Sequence, residues 1–153
     1  DLRTAQEVLQ AVENIKQRIH HQVTVNDLFF LKRGGRISAA TAVAGTVLNV
    51  KPVIVVDEAG KLANIGKARG RKGSLNELYS RLERTEKLEE LGLVCISHSD
   101  CIEDAEYLAG RVREDYPGTE IIISDIGPVI GAHTGPGAIA LCHIGRTNKG
   151  KLE

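Results

Sequence analysis

The sequence predicts an α/β (α+β) domain of two layers, with helices packed on a mixed sheet of about five to six strands. Three observations carry this. Long stretches place apolar residues at steps of three or four, and short β-branched runs lie between them. A hairpin signature in the first half then breaks any strict βαβ repeat, so the sheet cannot be purely parallel.

Each element follows in turn. Leu2, Ala5, Val8, Leu9, Val12, Ile15 and Ile19 fall on one face of an amphipathic helix, which ends at His20-His21. Val23–Val25 is extended, and Asn26 is placed to cap a helix over Asp27–Lys32. Gly34-Gly35 break that helix, and Ser38 can cap a small-residue helix from Ala39 to about Leu48. Lys51-Pro52 forces an extended start, so Pro52–Val56 reads as a buried strand. Asp57–Gly60 supplies the turn and Lys61–Lys67 the returning strand. Ser74–Glu90 is helical by Leu75, Leu78, Tyr79, Leu82 and Leu88, and Gly92–Ser97 is a strand. Asp100 is placed to cap a helix to about Asp115, stopped by Tyr116-Pro117-Gly118. Glu120–Ser124 and Ala138–Ile144 complete the strands, with a glycine-rich loop between them.

Composition narrows the function. A chain of 153 residues holds one core, here residues 1–150 as a single domain. Its 20 basic and 20 acidic side chains give no net charge, which argues against a dedicated nucleic-acid binder. Scarce aromatics argue against base stacking. Cys95, Cys101 and Cys142 have no ligand-like spacing, and buried free thiols in a reducing cytoplasm are the expected reading. No apolar run reaches the ~18 residues of a membrane span, and no secretory leader opens the chain, so a cytoplasmic location is expected. The chain lacks methionine and ends in Lys151-Leu152-Glu153, which reads as an excised domain with a tag remnant at 151–153.

Three glycine-rich islands could carry chemistry. The first, Leu31–Ser38, sets two arginines around Gly34-Gly35, either as an anion site or as a solvated helix-to-helix turn. The second, Lys67–Ser74, is a basic loop that fails the phosphate-loop pattern, because Arg71 and Gly73 stand where glycine and a hydroxyl residue are required. The third, Asp125–Ala138, frames His133 and Thr134 with Gly131, Gly135, Pro136 and Gly137 on a constrained backbone. His98, Asp100, His20 and His21 form no recognised zinc pattern, and cap or surface roles are expected for them. Neither a Ser-His-Asp set nor a carboxylate pair assembles.

Together these blocks resemble the later half of DegV-family proteins. The matching segments are Leu31–Ser38, Leu48–Pro52, Lys67–Lys72 and above all Ile126–Ala138, within a likeness running from about Leu2 to Ile144. The resemblance implies the two-layer carboxy-terminal domain of a two-domain protein, whose amino-terminal, Rossmann-like domain is missing from this chain. It further implies a non-enzymatic carrier that encloses one long-chain fatty acid between the domains, without cofactor or metal. A separate fatty-acid kinase would receive the carboxylate and form acyl phosphate. His133, Thr134 and Arg36 are then the expected carboxylate-binding residues, framed by Gly131, Gly135 and Gly137, with Arg69 and Arg71 at a rim facing the kinase or its phosphate. DegV proteins share their fold with the substrate-binding part of dihydroxyacetone kinases, so a covalent role for His133 is the alternative, and a partner-docking domain the third.

Overall fold

Thr4 opens the first helix through a capping box: its hydroxyl accepts from the Glu7 amide while the Glu7 carboxylate accepts from the Thr4 amide. The computed structural model describes residues 4–38, 44–85 and 92–145. Helix α1 is Ala5–Lys16 and strand β1 is Ile19–Thr24. His20 and His21 therefore lie in a strand rather than at a helix end. The apolar spacing through Ile15 and Ile19 continues the helical pattern, but β1 pairs with a strand on each side and ladder pairing outweighs that weak preference.

Asp27, not Asn26, caps α2 (Leu28–Arg33), accepting from the Phe29 amide at 2.8 Å. Residues 44–47 are helical. Most of the expected small-residue helix, at 39–43, lies outside the described residues, as does 86–91, the predicted end of the helix to Glu90. The hairpin is present as β2 (Val50–Val56) and β3 (Leu62–Arg69). Helix α3 (Gly70–Thr85) starts earlier than predicted, so most of the expected basic loop is strand end and first helical turn. Then come β4 (Leu93–His98), α4 (Ile102–Asp115), β5 (Glu120–Asp125), α5 (Pro128–Thr134) and β6 (Ile139–Ile144). Asp100 sits at φ 50° and Cys101 takes the cap position of α4 without a side-chain bond. The glycine-rich segment after β5 was expected as loop. It holds α5, which Pro128 at its start favours by presetting φ without needing an amide.

The six strands run β3-β2-β1-β6-β4-β5, parallel only between β4 and β5. Helices α3 and α4 cover one face of the sheet. There Val53, Val94, Ile96, Ile139 and Leu141 meet Leu78, Leu82, Leu108 and Val112, all fully buried. Each such side chain contributes about 1.5–3 kcal/mol by leaving water. Tyr79 joins the layers: its hydroxyl bonds Asp115 and the Arg111 carbonyl, and the Arg111 guanidinium lies 3.9 Å from its ring centre. On the opposite face Val23, Ala140, Cys142 and Cys95 are only partly covered. The two thiols are thus half-buried, because α3 and α4 pack on the other side.

The covered face also holds His20 and His143, stacked with ring centres 5.1 Å apart. Burial, and then His20 and His21, lower the His143 pKa from 6.5 to about 4. Its folded state stays neutral where the unfolded chain takes up a proton. The stability this gives is therefore full above pH 6.5 and is lost as pH falls towards about 4. The expected loss is about 3 kcal/mol of unfolding free energy across that window. Urea titrations at stepped pH check it, and His143→Gln is expected to flatten the slope; an unchanged slope in that variant rules the account out.

Candidate functional site

Strand directions gather the site. The carboxy-terminal ends of β1, β3, β4 and β5 and the amino-terminal ends of β2 and β6 all lie at one end of the sheet. That end carries α2, the Arg69–Gly70 junction, Ser99–Cys101 and the segment with α5. All three glycine-rich islands converge there.

Close backbone approach places His133. Helix α5 packs against α2. A Cβ added to Gly34 would stand 2.6 Å from His133 Nδ1, so the imidazole lies directly against that backbone. Gly135, at φ 73°, meets the Phe30 ring, and Gly137, at φ 79°, would put a Cβ 2.5 Å from Asn26. Neither position accepts a side chain, on backbone and space alike. Gly131 differs: a Cβ there meets only Ser99 Oγ, at 3.9 Å.

Arg36 reaches back to the same spot, its Nη1 donating to the Gly34 carbonyl. Gly34 thus joins the imidazole and an exposed guanidinium, the pair of cationic and hydrogen-bonding groups a carboxylate needs. Thr134 lies beside them, but its hydroxyl donates to the Ile130 carbonyl at 2.9 Å, leaving oxygen lone pairs and no donor. Arg69 is exposed at the end of β3, beside Val47–Val50 and Lys67 in a cleft that shares Leu48, Val50 and Lys67 with the apolar cleft beneath α2. Arg71 is turned away into α4: its Nε and Nη2 bind Asp104 at 2.8 and 2.7 Å, and Nη2 approaches Cys101 Sγ at 3.4 Å. His133 and Arg36 are brought together, while Arg71 is engaged elsewhere.

Beneath α2 lies an apolar cleft of about 290 Å³, lined by Leu28, Leu31, Ile37, Leu48, Pro52 and Ile54. Asn64 and Lys67 add polar groups to its wall. Ile54 belongs to the sheet face opposite the main core, since its neighbours Val53 and Val55 are both buried, Val53 in the core under α3. Gly45 lets the 44–47 helix close over the cleft, because a Cβ there would overlap Leu28. The small-residue stretch expected to leave room for a slender tail supplies Ala44, Gly45 and Leu48 to this lining, whereas Leu28 and Leu31, one helical turn apart, were a local signal not assigned to it.

Two further polar groups lie at this end. Lys51 donates to the Asn26 carbonyl at 2.6 Å, and burial, followed by Arg71, lowers its pKa. His98, expected in a cap or surface role, is buried and takes a cap-like one: its Nδ1 accepts from the Cys101 amide at 3.3 Å, with Nε2 3.8 Å from Asp125 Oδ1. Among the described residues no three His, Cys, Asp or Glu side chains gather to hold a metal ion. No described helix is long and apolar enough to cross a membrane.

The family described as "Uncharacterised protein, DegV family" matches residues 3–146. The chain belongs to the DegV family. A DegV domain-containing protein of Clostridium perfringens is 44% identical over 149 residues, which cover 97% of this chain and 51% of that protein. A DegV family protein from Thermus thermophilus, solved for its fatty acid binding, is 30% identical with a TM-score of 0.78, over 94% of this chain and 51% of that one. The Streptococcus pneumoniae Fatty Acid Kinase (Fak) B3 protein, loaded with linoleic acid, is alike in fold: TM-score 0.82, 21% identity, 93% of this chain and 50% of that one. This DegV chain spans about half the length of the relatives it matches.

The Gly34 contact yields a direct test. Gly34→Ala is expected to push the His133 ring aside while the main core under α3 and α4 stays intact. The His133 imidazole NMR resonances should shift, with unfolding free energy reduced by no more than about 1–2 kcal/mol. Unmoved His133 resonances would show that the contact does not set the ring.

Proposed function

We propose that this DegV chain forms one wall of a fatty-acid site and, within the longer protein, presents the carboxylate to a separate kinase. The observation that carries the reading is the sharing of α2: Leu28 and Leu31 line the apolar cleft, while Phe30 and Gly34 seat the segment bearing His133. An acyl tail and its carboxylate would then meet opposite sides of one short helix. Burying each methylene is worth ~0.8 kcal/mol, so the tail supplies the affinity. His133 and Arg36 supply the orientation, as donors to one carboxylate.

The cleft of about 290 Å³ sits at the lower end of the range for ligand pockets. In this proposal a second domain of the full-length protein completes it. The acyl-phosphate role rests on the sequence resemblance and on Arg69, an exposed guanidinium at the same end of the sheet that carries no ion pair among the described residues. Guanidinium binds phosphate oxygens in a fork that lysine cannot reproduce.

Calorimetry and lipid extraction test the carrier. The full-length protein is expected to co-purify with one fatty acid, and the 153-residue chain to bind it far more weakly. His133→Ala in the full-length protein should weaken binding about ten- to a hundredfold, the loss of one hydrogen bond to a charged group. Tight one-to-one binding by the isolated chain, or unchanged affinity in the variant, would sink the assignment.

The two arginines should part company. Arg69→Glu is expected to keep fatty-acid affinity and lower kinase-coupled turnover, the more so at low salt. Arg71→Glu faces Asp104 and should lower the unfolding free energy instead. Equal behaviour of the two variants would contradict both placements.

A further inference from the structure

Cys95 and Cys142 are direct cross-strand partners on β4 and β6. Both are free, and both lie on the sheet face that α3 and α4 leave open. Their spacing can be read from the ladder. Further along it Ser99 donates to the Ala138 carbonyl at 2.8 Å and accepts from the Gly137 amide at 2.6 Å, so its rung is a hydrogen-bonded one. Rungs alternate in an antiparallel pair, and counting back in twos from Ser99 reaches Cys95. The Cys95–Cys142 rung is therefore also hydrogen-bonded, with Cα atoms about 5.5 Å apart. That lies inside the ~4.4–6.8 Å Cα range of a disulfide, while the Cβ atoms of such a rung stand about 5.5 Å apart against the ~3.5–4.5 Å a disulfide takes, so the two strands draw together locally on closing and the bond is strained and readily reduced.

We propose that Cys95 and Cys142 form an intramolecular disulfide site, closed by a hydroperoxide and reopened by small thiols. Burial, and then the neighbouring Cys95, push the Cys142 thiol up to about 12, so it stays protonated at neutral pH and Cys95 reacts first. The Cys95 thiolate attacks the peroxide; the O–O bond breaks, the departing alkoxide takes a proton, and Cys95 becomes a sulfenic acid. The Cys142 sulfur then attacks the Cys95 sulfur. An S–S bond forms, the S–O bond breaks, and hydroxide leaves as water with the Cys142 proton. The two sulfurs have together given two electrons to the peroxide. Thiol exchange through a mixed disulfide reverses the bond. The link ties β4 to β6, the strand that the segment carrying His133 enters.

The third cysteine is the internal control. Cys101 donates to the Ala138 carbonyl at 3.4 Å beside Arg71, with no cysteine across from it. The 153-residue chain would be treated under native conditions with tert-butyl hydroperoxide, folding followed by circular dichroism, then read by intact mass and peptide mapping. Wild type and Cys101→Ser are expected to lose two hydrogens as monomers, with the Cys95 and Cys142 peptides joined until dithiothreitol is added. Cys142→Ser should stop at a Cys95 sulfenic acid trapped by dimedone, and Cys95→Ser should form no link. The proposal is overturned if the link runs through Cys101 or only between chains. It is equally overturned if Cys95 goes on to sulfinic acid with Cys142 untouched, or if bridging requires loss of the folded signal.

Discussion

The pairing of β1 with β6 along six rungs, from Ile19–Ile144 to Thr24–Ile139, is the constraint on which the rest of the molecule depends. It joins the first and last strands at the centre of the sheet. The hairpin of β2 and β3 can then add only beyond β1, and β4 with β5 only beyond β6. Because β6 runs against both neighbours, every segment of chemical interest leaves the sheet at the same end. Contacts so distant in sequence form late and at an entropic cost, and the local hairpin and helices must carry the chain until they do.

The hairpin, α4 and the strand around Ile96 were legible because their patterns are local: turn residues after a β-branched run, or apolar residues at helical steps. β1 was not. Its inward face is His20, Gln22 and Thr24, a buried polar row that no hydrophobic period announces. Helix α5 was hidden for a different reason. Glycine and proline normally end helices, yet here Pro128 starts one, and Gly135 closes it at a positive φ that only glycine takes readily.

The site was legible to a similar depth. Framing glycines pointed to His133, but the surfaces that require them, Phe30 and Asn26, come from another segment. Arg36 belongs with His133 through Gly34, a link between two islands that sequence order separates. Arg71 looked equivalent to Arg69. The turn of backbone at Gly70, φ 72°, sends it into α3 and towards Asp104 instead. A charged residue's role depends on where its neighbour's backbone points, and that information is tertiary.

The pleat divides the packed core from the face that carries the apolar cleft. Val53, Ile96 and Leu141 face α3 and α4, and their alternates Ile54, Cys95 and Cys142 face the other way. The first set is closed and packed, so changes there act on folding. The second set is half-covered, with α2 and the 44–47 helix roofing only the β2 and β3 part around Ile54. A one-residue slip of β2 would exchange the two sets and bury Ile54 where Val53 belongs. The irregularity between Val53 and Ile54 bears on this directly: Val53 stays opposite Gly66 while Ile54 moves to Asn64, leaving Ile65 as the extra residue. That bulge carries β3 past the cleft and puts Asn64 and Lys67 on its wall, so a local irregularity in the ladder, rather than any special side chain, shapes the polar side of the cleft.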